Sequence, residues 1–247
     1  MKPLAGKIVL VTRPVKGSAA LVRSIERAGA VAMAAPTIEI VPARSAALTR
    51  ALRDLAVGRF AWITLTSRST VEMLAGRLAT SKDVRASVAA IGDGTSAAFR
   101  AWTGREPDLT PTTFTTAALA RAFPRGEGRV LCARADIAPA GLEDALAAKG
   151  WSPERVGAYR TRLPRSLPKD AREALRDGRV AAITFTSAST VRGFVGAVGV
   201  VRGNPKIVCI GPVTSRAARE HGMRVSAVAR PHTVDGVVDA LVRALAR

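Results

Sequence analysis

One stretch of this chain occurs twice, and that repeat constrains the fold more than any other feature. Ile63-Thr64-Leu65-Thr66-Ser67-Arg68-Ser69-Thr70-Val71 returns as Ile183-Thr184-Phe185-Thr186-Ser187-Ala188-Ser189-Thr190-Val191. Further on, Ile91-Gly92-Asp93-Gly94-Thr95-Ser96 returns as Ile210-Gly211-Pro212-Val213-Thr214-Ser215, and Ile8-Val9-Leu10-Val11-Thr12-Arg13 is echoed by Arg129-Val130-Leu131-Cys132-Ala133-Arg134. Three landmarks in the same order, spaced by roughly 120 residues, indicate a duplicated unit. A chain of 247 residues is long enough for two such units, each with its own core.

Within each copy, short apolar runs alternate with helical patterns. Strands are expected near 7–12, 31–35, 61–65, 88–91 and 107–109, then near 129–133, 152–157, 180–185, 206–210 and 225–229. The helices expected between the first set fall at 17–29, 46–56, 68–78, 95–103 and 115–123. The apolar runs are continuous rather than alternating, and each leads into a helix, as in parallel strands covered on both faces. The expected fold class is therefore α/β: two duplicated flavodoxin-like, doubly wound parallel-sheet domains. Thr37-Ile38-Glu39-Ile40-Val41-Pro42 and Ala158-Tyr159-Arg160-Thr161-Arg162-Leu163-Pro164 occupy equivalent places, are extended, and end in proline. They read as linkers, and by the residues alone they could equally be edge strands.

Charge narrows the range of partners. Thirty-eight Lys and Arg stand against nineteen Asp and Glu, a net charge of +19. Such a field attracts nucleic acid, an anionic membrane or a polycarboxylate ligand. The arginines are scattered singly, with no basic arm or tail, and six Phe and one Tyr are a thin supply of stacking platforms. A basic surface that favours an anionic small molecule is expected, with neither nucleic acid nor membrane as partner. No apolar run is long enough for a bilayer and the N-terminus lacks a secretory pattern, so a cytoplasmic protein is expected. Cys132 and Cys209 lie inside apolar runs, and with His221 and His232 they have no metal-site spacing, so no metal is expected.

The residues that carry chemistry cluster at strand ends. Thr66-Ser67 and Thr186-Ser187 close one strand in each copy, and Ile-Gly turns followed by Thr95 and Thr214 close another. Ser and Thr in these places cap the helix that follows. The same helix starts offer N–H groups and a positive dipole end to a carboxylate or phosphate, and in doubly wound sheets they border the ligand crevice. Arg13 and Arg134 form a matched pair on the same rims, with guanidinium forks suited to carboxylates. Tyr159, the sole tyrosine, is expected in a linker and outside a core, with a phenol able to donate a hydrogen bond. No Ser-His-Asp order, P-loop or paired-carboxylate motif stands out, and the Gly-rich stretches fail the dinucleotide fingerprint. The residues alone leave two further readings open: a cytoplasmic two-lobed ligand-sensing protein, or a nucleic-acid-associated regulatory protein without catalysis.

Taken as an ordered set, these pieces resemble the uroporphyrinogen-III synthase family over essentially the whole chain. The resemblance rests on Val11-Thr12-Arg13-Pro14, Pro36 with Ile38 and Ile40, Thr66-Ser67, Ile91-Gly92 with Thr95, and Tyr159 with Thr161. It extends through Phe185-Thr186-Ser187, Ile210-Gly211-Pro212 with Thr214, and Ala229 followed by His232-Thr233-Val234-Asp235-Gly236. It implies a cofactor-free, monomeric enzyme that binds hydroxymethylbilane, a linear tetrapyrrole with carboxylate arms, in a cleft between two α/β domains. The enzyme would remove water, invert the last ring through a spiro intermediate and close the macrocycle. A transient contact with hydroxymethylbilane synthase is also implied. By the same resemblance Tyr159 assists loss of the hydroxyl and Thr214 helps hold the substrate. Ser67, Thr95, Thr186 and Ser187 would contact carboxylates. One domain would comprise about 1–36 plus 165–247 and the other about 43–157, joined by a two-stranded linker of 37–42 and 158–164.

Overall fold

Runs of branched aliphatic residues become strands here, and the amphipathic stretches between them become covering helices. The structure, a computed structural model, describes residues 2–199 and 201–246. Positions 1 and 247, the ends of the expected first domain, and position 200 within it lie outside the described residues. The chain begins β1 (Ile8–Val11), α1 (Ala19–Arg27), β2 (Val31–Ala34), β3 (Glu39–Pro42) and α2 (Ala46–Ala56). It continues β4 (Trp62–Leu65), α3 (Arg68–Ala75), β5 (Ser87–Ala90), α4 (Asp93–Thr103) and α5 (Thr116–Ala122). Then come β6 (Arg129–Ala135), α6 (Leu142–Ala147), β7 (Ser152–Arg162), α7 (Lys169–Arg176) and β8 (Val180–Phe185). The last elements are α8 (Ala188–Ala197), β9 (Lys206–Cys209), α9 (Pro212–Glu220), β10 (Val225–Val228) and α10 (Val234–Leu245).

These elements form two units. One holds the residues up to Glu39 and those from Arg162 on; the other holds Ile40–Thr161. The first sheet runs β10-β9-β8-β1-β2 and the second β3-β7-β6-β4-β5. The pairings of β1 with β2 and β8, and of β9 with β8 and β10, are parallel, as are those of β6 with β4 and β7 and of β4 with β5. Each sheet therefore combines strands from both copies of the repeat. In the first unit the order is that of a doubly wound flavodoxin-like sheet, and the second repeats it as a circular permutation.

In the first unit, Leu21 and Ile25 of α1 and Val237, Ala240 and Leu241 of α10 pack on one face of the sheet with Val9 and Val11. Leu175 of α7, Phe194 of α8 and Ala218 of α9 pack with Leu10, Ile183 and Phe185 in a separate cluster. Burial of both faces explains why these strands read as continuous apolar runs. The central threonines do not break the pattern because each finds a carbonyl. Thr12 Oγ1 donates to Thr184 O at 2.6 Å and Thr184 Oγ1 donates to Leu10 O at 3.0 Å.

Three segments differ from the sequence expectation. The expected strand at 107–109 is reduced to a single bridge between Ala89 and Leu109, because the Asp108 carboxylate takes the Val88 N–H at 2.8 Å. The segment 158–164 begins inside β7, which runs unbroken through Arg162 and pairs with β3. The segment 37–42 divides. Thr37 is buried in the first unit, where its hydroxyl lies 2.8 Å from Thr190 O, while β3 joins β7 in the second sheet with Pro42 as its last residue.

Thr37 also fixes a glycine. A Cβ on Gly193 of α8 would lie 1.9 Å from Thr37 O, whereas one on Gly196 in the same helix would meet nothing within 4 Å. Gly193→Ala is expected to cost about 2 kcal/mol by overpacking. Gly196→Ala is expected to gain about 0.5–1 kcal/mol by helix propensity. Urea unfolding midpoints of the two variants check both signs.

Candidate active site

In the second unit the chain leaves β4 toward β5 on one side, while β6 leads to β7 on the other. The carboxyl ends of β4 and β6 therefore flank the switch point, the usual site of a ligand crevice in such sheets. Ser67 follows β4, Arg134 lies near the end of β6, and Tyr159 sits on β7. The pairing of β6 with β7 shifts register here: Arg134 faces Gly157, but Ala135 faces Tyr159, leaving Ala158 as the extra residue of a bulge. The buried-exposed alternation breaks at the same place, so Ala158 and Tyr159 both pack in the core with Val156. The expectation that Tyr159 stands outside a core is thus corrected. It is 7% exposed.

That bulge brings the Tyr159 hydroxyl to 2.9 Å from Ser67 Oγ. Ser67 Oγ also accepts the Thr70 N–H at 3.1 Å as the N-cap of α3, and Thr70 Oγ1 donates to Ala133 O at 3.3 Å. Burial pushes the phenol above its ordinary value, and the Ser67 hydrogen bond only partly offsets this. Nearby Asp136 pushes it further up, while Arg134 draws it down. Tyr159 therefore stays protonated through neutral pH, able to donate a hydrogen bond or a proton.

Arg134 is not a projecting grip. It is 2% exposed, and Nη1 donates to both Glu143 carboxylate oxygens at 3.0 Å and to Pro139 O at 3.0 Å. A buried guanidinium needs such a partner. Glu143 was missed in the sequence because no local pattern links it to Arg134 across the intervening loop. Asp136 was missed too: its N–H donates to Tyr159 O at 3.1 Å, and its Oδ1 accepts the Thr161 N–H at 3.0 Å. Together these contacts fasten the β6 end to the strand carrying the tyrosine.

The four strand-end turns fall into two kinds. Ser67 and Ser187 are spent as helix caps, Ser187 Oγ accepting the Thr190 N–H at 3.2 Å. Thr186 beside it is half-buried, as is Arg13 past the end of β1. Helices α4 and α9 instead begin at Gly92 and Gly211, with no side-chain cap, and Thr95 and Thr214 lie in their first turns, 6% and 4% exposed. An uncapped helix start keeps its positive end for an outside oxyanion. Small size matters at Gly92, where a Cβ would fall 2.5 Å from the Phe114 ring. The structure thus joins Ser67 to Tyr159 directly and sets Arg134 and Thr95 in the same unit; Arg13, Thr186, Ser187 and Thr214 belong to the other.

Among the described residues no group of three or more His, Cys, Asp or Glu could hold a metal, and no helix is long and apolar enough to cross a membrane. The fold and these strand ends define a class: paired flavodoxin-like units with strands exchanged between repeats and an oxyanion-ready rim. Residues 19–239 match the family described as uroporphyrinogen-III synthase HemD. A uroporphyrinogen-III synthase of Synechococcus elongatus is 32% identical over 256 residues, covering 97% of this chain and 96% of that protein. A porphyrin biosynthesis protein HemD of Ruminiclostridium josui is 31% identical over 252 residues, covering 98% of this chain and 49% of that longer protein. A uroporphyrinogen III synthase structure from Thermus thermophilus superposes with a TM-score of 0.67 at 22% identity, covering 97% of this chain and 99% of that one. The chain belongs to the uroporphyrinogen-III synthase family.

Two chemical consequences are measurable. Because the chain has one tyrosine, tyrosinate absorbance reports Tyr159 alone. Its titration in the native protein is expected above that of the urea-unfolded chain, which should lie near about 10. A folded value raised in this way contributes stability that is fully present below the unfolded value and is lost as pH rises through the folded one. Burial likewise pushes the Cys132 thiol up to about 11 and Cys209 up to about 12. Neither is expected to react with a disulfide reagent at pH 8 until the protein is unfolded, as a thiol-release assay would show.

Proposed function

We propose that this chain closes hydroxymethylbilane to uroporphyrinogen III, acting as a cyclising hydro-lyase that expels one water and inverts the last pyrrole ring. The observation that carries the reading is the Tyr159 hydroxyl held 2.9 Å from Ser67 Oγ beside the switch point of the second sheet. In this reading Tyr159 donates to the departing hydroxyl oxygen, which leaves as water. Ser67 is then the positioning partner that keeps the phenol in one rotamer. The developing positive charge is delocalised over the pyrroles, so the protein's task is orientation rather than covalent attack.

The substrate's carboxylates are assigned to the two glycine-started helices, through the first turns that contain Thr95 and Thr214. Thr186, Ser187 and Arg13 are assigned to the rim of the first unit, which also carries Thr214, and the net charge of +19 draws the polyanion in. Arg134 is assigned to holding the end of β6 through Glu143 rather than to ligand contact. Reduced, buried Cys132 and Cys209 fit a cytoplasmic setting. A monomer that receives the unstable bilane by brief contact with hydroxymethylbilane synthase completes the proposal.

Kinetics test the assignment. Tyr159→Phe is expected to lower kcat about a hundredfold with little change in KM, as for loss of a proton or hydrogen-bond donor acting mainly in the transition state. Its stability should fall by only about 1 kcal/mol, since one hydrogen bond is lost from a preserved core. Full turnover in that variant, measured as bilane consumption, would remove Tyr159 from the mechanism.

A further inference from the structure

The duplication supplies an internal comparison for the outer edge of the first unit. On α4, Ser96 and Arg100 follow the Gly92 cap by four and eight residues. Both are satisfied locally. Ser96 Oγ lies 3.2 Å from Gly92 O and 3.2 Å from Thr110 Oγ1, and Arg100 is paired with Glu106. The equivalent positions on α9 are Ser215 and Arg219, four and eight residues after Gly211. There the partners are gone. Ser215 is 1% exposed, and its Oγ has no hydrogen-bond partner among the described residues. Neighbouring Glu220 lies 3.9 Å from Arg216, and Arg219 has no ion pair among the described residues.

Ser215 and Arg219 instead line a cavity of about 440 Å³, together with Pro212, Arg230 and His232 and with no acidic side chain. Its rim is held in shape. Gly236 of α10 presses so closely on the turn that a Cβ would lie 2.0 Å from Pro231 O. His232 Nδ1 is 2.8 Å from Ala229 O, and its ring stands against Gly211 at the start of α9. A buried hydroxyl without a partner is destabilising unless something outside the chain satisfies it. The guanidinium groups of Arg219 and Arg230, neither with an ion pair or side-chain hydrogen bond among the described residues, and an uncapped nine-residue helix beside them specify the sign of that ligand.

We propose that this cavity is an oxyanion site, taking a carboxylate or phosphate group between the Ser215 hydroxyl near the start of α9, Arg219 in its last turn and Arg230 after β10. The oxyanion is either a carboxylate arm of the bilane or a free small anion. Only the first alternative rests on the synthase reading.

Titration of the full chain with inorganic phosphate and with citrate, followed by calorimetry, tests the site. Saturable binding is expected, weakened at least about tenfold in Arg219→Gln/Arg230→Gln, where charge-assisted hydrogen bonds are lost. Ser215→Ala should weaken it about threefold or more. Arg100→Gln, which alters the equivalent arginine of the second unit, should leave it unchanged. No saturable binding to the parent chain, or equal binding by all variants, would overturn the proposal. Steady-state closure of hydroxymethylbilane separates the sources. A raised KM in the double variant, with phosphate acting as a competitor, assigns the site to a substrate carboxylate. An unchanged KM with saturable phosphate binding assigns it to a free anion. If the chain failed to close the bilane at all, the synthase reading would fall while the calorimetric result would still decide the site.

Discussion

Everything in this structure depends on two strand pairings that join distant parts of the chain. In the first sheet β1 lies against β8, and in the second β4 lies against β6. In both sheets the pairing that forms the switch point is made between the two copies of the repeat. The first is also stitched by buried threonines, Thr12 onto Thr184 O and Thr184 onto Leu10 O. Burial removes water as an alternative partner, so these hydroxyls bind the strands only in this register. Neither copy can complete a sheet alone, because its first two strands are in one unit and its later strands in the other. The residues beside each switch point are therefore contributed by both copies.

The chemistry of the rim follows from how each helix start is satisfied. Where serine stands at the N-cap, as in Ser67 and Ser187, the helix consumes its own donor, and the serine's remaining capacity goes to a neighbour. For Ser67 that neighbour is the Tyr159 phenol. Where glycine stands there, the helix start stays open to an anion. The duplicated motif thus divides into positioning turns and binding turns, a distinction invisible in the motif itself. Arg134 shows the same economy: it keeps one half-buried carboxylate, Glu143, and braces a strand end instead of reaching for solvent.

Much of the architecture was legible because parallel, doubly covered strands leave an unmistakable pattern. The apolar runs at Ile8–Val11, Trp62–Leu65 and Val180–Phe185 needed no tertiary information. The repeat told which strands were equivalent. What it could not tell was where non-local geometry wins over local pattern. With Val156 and Ala158 buried, simple alternation turns Tyr159 away from them, and only the bulge opposite Arg134 and Ala135 turns it inward. The strand expected at 107–109 failed for a related reason, a side chain taking a backbone donor that the ladder would have used. Nor could a matched pair of arginines reveal that Arg134 is buried while Arg13 is half-buried, since burial depends on a carboxylate from another element.

In the proposed reaction this rim controls how a bilane folds before it closes, with the phenol assisting departure of water. Closure without such control gives the uninverted type I macrocycle, so the isomer formed is the readout. Freshly made hydroxymethylbilane should be mixed with the purified chain, and the product oxidised and its isomers separated by chromatography. The type III isomer should dominate in proportion to protein added. Type I at every protein concentration would contradict the account.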